Sequence, residues 1–577
     1  MRGSIPISVE KSGRAFTRWD ALAILLTLGL LVFLAGASRH LLQPLAELQQ
    51  TPVSLDPQHL PEYAARTTLR MLVALALSLV FTFTYATAAA KSKKAEVLLI
   101  PLLDILQSVP ILGFISVTVV FFMSLAPGRV LGAEFAAIFA IFTSQAWNMA
   151  FSFYQSLRTV PVELTEASRT FRLSSWMHFW RVEVPFAMPQ LIWNMMVSMS
   201  GSWFFVVASE AISVGNTTVT LPGIGAYLAL AIGQKNLTAV GWAIGAMLVV
   251  ILLYDQLLFR PLVAWADRFR FEQQSGVAPP QSFVLDVLRR SRIVATLVVP
   301  LSRLWQRSYQ LPLLGHVADA APAHPSGKGS RWSNRVWIGI VVLGGAACLW
   351  QIGYFVAANI SLPEAGKAAL FGLATLVRVI VLIVIATVVW VPIGVMVGTR
   401  PRVAQLIQPL VQFLAAFPAN VLFPVVVVAI VAFHLSPDIW LSPLMILGTQ
   451  WYILFNVVAG AMAIPSEMRD VGINLQVGGW LWWKKIALPA VFPYYVTGAI
   501  TASGGSWNAS IVAEVASWGD THLRAYGLGA YIAQATEAGD MHRVVLGIAV
   551  MSFYVVIVNR LFWRPLYWYA EQKFRLG

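Results

Sequence analysis

Residues Pro161 to Pro185 read PVELTEASRTFRLSSWMHFWRVEVP, and residues Pro465 to Pro489 read PSEMRDVGINLQVGGWLWWKKIALP. Each stretch opens on proline and acidic residues, which suit a helix N-terminus, and closes on proline just before an apolar run. Each is too long for a turn and too mixed to cross a bilayer. A short helix parallel to the membrane, presenting a surface to something cytoplasmic, is therefore predicted in both places.

The two stretches stand 304 positions apart, and the offset persists around them. It carries Glu163 to Glu467, Trp176 to Trp480, Pro189 to Pro493, Gly201-Ser202-Trp203 to Gly505-Ser506-Trp507, Glu210 to Glu514, and Arg260-Pro261-Leu262 to Arg564-Pro565-Leu566. Upstream the offset becomes 308, as Pro101 with Pro409 and Pro110 with Pro418 show, so the outward loop near Ala126 to Glu134 differs in length between halves. The chain is an internal repeat.

The rest of the chain is a membrane protein by composition. Of 577 residues, 58% are hydrophobic and only 11% charged, with a mean hydropathy of +0.71. Disorder and disulfide scaffolds are excluded, the latter because Cys348 stands alone. Apolar stretches near bilayer length number about twelve. The first half has them near Asp20 to Ala37, Ala64 to Ala90, Val97 to Ser124, Ala133 to Tyr154, Phe186 to Ser213 and Leu237 to Phe259. In the second half they lie near Val336 to Ala358, Ala368 to Val397, Ala404 to Phe433, Ile439 to Met462, Ala490 to Trp518 and Arg543 to Phe562. An all-α polytopic fold in two parallel six-helix repeats follows, because an even number of spans gives both repeats the same orientation and a central interface.

The net charge of +14 is spread along one membrane face. With both termini inside, Lys91, Lys93, Lys94, Arg169, Arg172, Arg181, Arg260, Arg400, Lys484, Lys485 and Arg564 fall on cytoplasmic segments. That distribution argues against nucleic acid as a partner and for membrane lipid. The first span, with Ala35-Gly36-Ala37 near its end, also admits a reading as a cleavable signal peptide. Three parts are expected: a first unit over residues 1–272, a cytoplasmic linker over 273–335, and a second unit over 336–577. In the linker, Gln281 to Arg307 mixes apolar residues with arginines and fits either a basic helix on the inner leaflet or a solvated tether.

The repeated cytoplasmic stretch resembles that of the permease subunits of ABC importers. Their signature runs Glu-Ala-Ala, three residues, Gly, nine residues, then Ile-x-Leu-Pro. Here Glu166-Ala167-Ser168 with Val182-Glu183-Val184-Pro185, and Asp470-Val471-Gly472 with Ile486-Ala487-Leu488-Pro489, stand at that spacing. Both halves depart at the glycine, where Arg172 and Gln476 stand. Pro101-Leu102-Leu103-Asp104 with Ser108-Val109-Pro110, and a Trp before a small-Glu pair, are similar to the nitrate, sulfonate, taurine and bicarbonate branch.

That resemblance implies two permeases fused in one chain, of the type I importer fold, in a bacterial inner membrane. It implies two cytoplasmic ATPase subunits that bind ATP and Mg, and a periplasmic or lipid-anchored binding protein that delivers a small polar solute, an oxyanion by branch. No GxxxxGK[ST] loop occurs in this chain, so hydrolysis is expected in the separate ATPase and no enzyme activity, cofactor or metal here. The implied ATPase-coupling residues are Glu163, Glu166, Ala167, Ser168 and Arg172 in one half, and Glu467, Asp470, Val471, Gly472 and Gln476 in the other.

Glu210 and Glu514, in or at the outer end of apolar spans, are candidates for a gate or pathway contact. The other reading is a paired carboxylate fixing helix packing between the halves. Trp203 and Trp507 are cavity or packing residues, and Asn148, Gln107, Asn420 and Asn508 fit either a polar cavity or interhelical hydrogen bonds. An ion-coupled secondary transporter would share the repeat and the intramembrane acids, but it leaves the repeated cytoplasmic helix without a purpose.

Overall fold

The computed structural model describes residues 53–108, 115–214, 217–269, 282–291, 360–400, 419–462, 466–519 and 521–574, with scattered positions elsewhere. The expected first span, its counterpart Val336 to Ala358 and most of the linker lie largely outside the described residues.

The first half contains α1 (Pro57–Lys91), α2 (Lys93–Ser108), α3 (Ile115–Leu125), α4 (Val130–Arg158), α5 (Val162–Thr170) and α6 (Ser175–Glu210). A hairpin of β1 (Ala211–Val214) and β2 (Thr217–Thr220) follows, then α7 (Ile224–Gly233) and α8 (Leu237–Phe269). The linker contributes α9 (Phe283–Arg290).

In the second half stand α10 (Leu362–Gly398), α11 (Phe423–Ala432), the bent pair α12 (Pro437–Leu447) and α13 (Gln450–Met462), α14 (Ser466–Asn474) and α15 (Gly479–Ala513). The hairpin recurs as β3 (Val515–Trp518) and β4 (Thr521–Arg524), before α16 (Leu528–Glu537) and α17 (Met541–Ala570). The register pairs Ala211 with Thr220 in one hairpin and Val515 with Arg524 in the other.

Among the described residues seven helices are long and apolar enough to cross a bilayer, and α12 with α13, bent by 43°, makes an eighth. The exposed apolar stripe of α10, with Val377, Ile380, Val381, Val384 and Val388, recurs every three or four residues, while Thr375, Val379, Leu382 and Ala386 are buried. One face meets lipid and the other meets protein.

Of the expected span Val97 to Ser124 the structure describes α2, with Pro101 inside it, and α3, and residues 109–114 between them lie outside the described residues. Two expectations are corrected. The fifth and eleventh spans end at Glu210 and Ala513, short of Ser213 and Trp518, because the chain turns into a hairpin. The stretch Pro161 to Pro185 is not a single short helix: α5 ends at Thr170, and from Ser175 onward the chain already belongs to α6.

Each half is built on one main core cluster, with Val119, Ala136 and Ala140 of the first half joining the cluster of the second. Met71, Phe153, Leu191, Trp203 and Tyr227 cluster in the first, and Val379, Ile453, Trp507 and Ile532 in the second. Small residues set the closest approaches: a Cβ on Gly398 would stand 2.6 Å from Val458 O, and one on Gly498 2.6 Å from Tyr452 O. The halves touch where Trp193 meets the edge of Phe455 at 5.9 Å and where Gln155 donates to the Tyr567 hydroxyl at 3.3 Å.

Candidate functional site

At one end of the spans α5 begins after Pro161 with Glu163 in its first turn, and α14 carries Glu467 beside Ser466. Both helices end in the same way. Phe171 N–H donates to Ala167 O and Leu173 N–H to Ser168 O, both at 3.0 Å, around Arg172 at φ 47°. In α14 Leu475 donates to Val471 O at 2.9 Å and Val477 to Gly472 O at 2.8 Å, around Gln476 at φ 52°. This is the left-handed C-terminal cap that usually takes glycine. The glycine turn of the resembled signature survives in the backbone although neither half has the glycine.

The cap fixes which side chains look outward. Glu163, Glu166, Ala167 and Arg172 are exposed, as are Asp470, Val471 and Gln476, while Ser168 and its counterpart Gly472 face inward and are buried. Sequence reading missed two residues. Phe171 is 76% exposed and Leu475 69%, at equivalent positions beside the cap, and the repeat offset could have paired them. Each is a large apolar side chain standing out beside the cap of a charged helix.

Toward the opposite end of the spans, each half holds an ionic brace, buried throughout in the first half and open to solvent at Asp438 in the second. Arg70 on α1 donates to Glu134 on α4 through Nε and Nη2, both at 2.6 Å, and to Glu210 on α6 through Nη1 at 2.7 Å. Glu210 also accepts from Thr67 Oγ1 at 2.7 Å and from Gly225 N–H at 2.7 Å, at the start of α7. In the second half Arg378 takes Glu514 at 3.0 Å and Asp438 at 3.4 Å, and Glu514 accepts from Thr375 at 2.8 Å and Ala530 N–H at 3.1 Å. Each acid thus closes onto the N-terminus of the short helix that follows it, where unpaired amides favour a carboxylate. The pairing lies within each half, rather than between the halves as the packing alternative had it.

The fold places the remaining candidates separately. Trp203 packs against Tyr254 and Trp507 against Tyr554, each pair at 6.4 Å and within its own half. Asn148 donates to Ser198 at 3.0 Å between α4 and α6, and Asn508 donates to Gly504 O at 3.3 Å. Gln107 is half-buried in α2, and Asn420 belongs to the turn Ala419–Leu422. A small hollow between the halves is lined by Ser200, Gly201, Ala415, Trp451, Tyr452 and Phe455. A Cβ on Gly201 would lie 2.4 Å from the Tyr452 hydroxyl, so this glycine admits the tyrosine across the seam.

A family model described as the binding-protein-dependent transport system inner membrane component matches the chain twice, over residues 68–262 and 390–563. The nitrate import permease protein NrtB of Leptolyngbya laminosa is 28% identical over 188 residues, 33% of this chain and 64% of that protein. The bicarbonate transport system permease protein CmpB of Synechococcus elongatus is 29% identical over 188 residues, again 33% and 64%. NrtB of Synechocystis is 25% identical over 202 residues, covering 35% and 70%. The chain therefore spans just under two thirds of the length of the first two relatives.

Proposed function

Because the chain belongs to the family of binding-protein-dependent transport system inner membrane components, matched in both halves, we propose that it is the complete membrane pathway of an ATP-driven importer. Residues 1–272 and 336–577 act as two permease units, joined by the linker. The helices α5 and α14 each dock one cytoplasmic ATPase, and nucleotide and Mg bind to those partners. The observation that carries this reading is the repeated docking element, the same capped helix with an outward acid-bearing face and an exposed Phe171 or Leu475. Closure of two ATPases pushes α5 and α14 together, and the rigid halves rock about their seam.

The solute passes between the halves, along the seam where Ser200 and Tyr452 lie. An oxyanion delivered by a binding protein suits the names of the relatives, one a nitrate and one a bicarbonate permease. It also suits the described lining of the hollow between the halves, where Ser200, Gly201, Trp451, Tyr452 and Phe455 carry no charge, while Arg70, Glu134, Glu210, Arg378 and Glu514 are ion-paired within their own halves. The same ion pairs disfavour a secondary carrier that would need Glu210 or Glu514 free to bind a coupling ion.

Gentle purification of the tagged chain from its native membrane, with a count of co-purifying subunits and a hydrolysis assay, tests the proposal. Two ATPases per chain are expected, with a binding protein in reach. Uptake by a chain free of any ATPase would move the case to a secondary carrier.

A further inference from the structure

Among the described residues, the base of the first half carries a run of polar contacts that has no counterpart at the equivalent positions of the second half. Ser168 Oγ on α5 donates to Leu164 O at 2.8 Å and stands 2.9 Å from His178 Nδ1. The other ring nitrogen, Nε2, stands 3.2 Å from Glu183 Oε1, and the same oxygen takes the Lys91 ammonium. Ser168, His178 and Glu183 are buried, and Lys91, the last residue of α1, is half-exposed. Three successive contacts therefore join the docking helix α5, the root of α6 and the inner end of α1. Glu183 closes a π turn, Phe179–Glu183, a distortion often kept where a helix must present a side chain in a particular place.

The second half repeats the backbone without the polar groups. Its π turn is Trp483–Ala487, and the repeat offsets put Gly472 for Ser168, Trp482 for His178, Ala487 for Glu183 and Thr399 for Lys91. Thr399 spends its hydroxyl on Val395 O at 2.8 Å, within its own helix. Gly472 sits on an apolar cushion, where a Cβ would lie 3.1 Å from Ile486 Cδ1 and 3.8 Å from Trp482 Cδ1. One docking helix is tied by charge and the other rests on apolar side chains. Losing one charge leaves a buried partner unpaired in the first case and has no counterpart in the second.

We propose that Glu183, with His178, is the positioning group of the first docking helix, tying it to α1 through Lys91, while the second is seated by apolar packing, so that the two ATPase sites respond unequally to loss of charge. The inference rests on the reading of α5 and α14 as ATPase docking elements.

Two single-cysteine reporters test it in the assembled complex with Cys348→Ser as background: Thr170→Cys on α5 and Asn474→Cys on α14, equivalent and exposed. Each is cross-linked to the ATPase with a thiol-to-amine reagent, alone and combined with Glu183→Gln or Lys91→Gln. Both neutralising variants are expected to lower the yield from position 170 by roughly tenfold, the scale of a lost charged hydrogen bond, and to leave that from 474 within about twofold. The swap Lys91→Glu with Glu183→Lys should restore the first yield. Should Glu183→Gln not accumulate, Lys91→Gln carries the test, because Lys91 is half-exposed. An equal fall at both positions, or none at 170, overturns the inference. If no ATPase is recovered with the unsubstituted chain, the docking reading has failed and this inference falls with it.

Discussion

The Arg70 guanidinium lies between two carboxylates, 2.7 Å from Glu210 and 2.6 Å from Glu134, and all three side chains are buried. Arg378 repeats the arrangement with Glu514 at 3.0 Å, but its other partner, Asp438, is 3.4 Å away and exposed. The first brace is therefore the drier and more completely bonded of the two. Within each half it ties α1 or α10 to the end of the span that leads into the hairpin.

Removing one partner from a buried pair strands the other, a loss of about 3–5 kcal/mol in comparable sites. Arg70→Ala should accordingly lower the unfolding temperature in detergent more than Arg378→Ala, because it strands two buried carboxylates, Glu134 and Glu210, whereas Arg378→Ala strands one, Glu514, its other partner Asp438 being exposed. Thermal unfolding followed by tryptophan fluorescence compares the two. Equal shifts would mean that the difference in burial carries no energetic weight.

The glycines around the brace are there for the carboxylates. A Cβ on Gly223 would stand 2.3 Å from Glu210 Oε2, and one on Gly527 2.3 Å from Glu514 Oε1, whereas Gly233 at the far end of α7 has open space. Gly223→Ala and Gly527→Ala are expected to cost about 1–3 kcal/mol, as overpacked sites do, and Gly233→Ala to be neutral or mildly stabilising. Expression level and melting temperature of the three variants separate the two classes. A stable Gly223→Ala chain would show that Glu210 can relax away without loss.

The repeat and the described spans were legible because each rests on spacing. Glu166 with Pro185 and Asp470 with Pro489 keep the signature distances, and apolar runs near bilayer length mark helices whatever their partners. The brace was half legible. Glu210 and Glu514 stood out as acids in apolar spans, but Arg70 lies 140 positions from Glu210, and pairing over that distance has no sequence period. The first hairpin escaped because its first strand, Ala211–Val214, follows directly on a span and continues its apolar character. The caps at Arg172 and Gln476 escaped because their residue types argue against the φ they adopt.

Those caps offer a stability gain. An L side chain in the left-handed region costs on the order of 1 kcal/mol relative to glycine. Arg172→Gly and Gln476→Gly should each recover part of that, while Gln476→Val should lose more, since a β-branched residue tolerates positive φ least. The measurement is the melting temperature of the purified chain. If Gln476→Gly melted lower than the unsubstituted chain, the glutamine would be making a contact that outweighs its strained backbone.

Docking itself separates charge from apolar contact. Glu166→Lys reverses an exposed charge on α5, and Phe171→Asp and Leu475→Asp remove the two large apolar side chains at the caps. None of the three changes a buried residue, so insertion and folding should persist. Truncating an apolar anchor at the centre of a contact typically costs about 2 kcal/mol or more, against less for a charge at its rim. Phe171→Asp and Leu475→Asp should then each lose more than tenfold in ATPase co-purification. Glu166→Lys should uncouple hydrolysis from transport or weaken ATPase binding, with a marked dependence on ionic strength. Retention of both ATPases and normal transport in all three variants would show that α5 and α14 are not the docking elements. Loss confined to one helix, with the other unaffected, would show that the two ATPases bind independently.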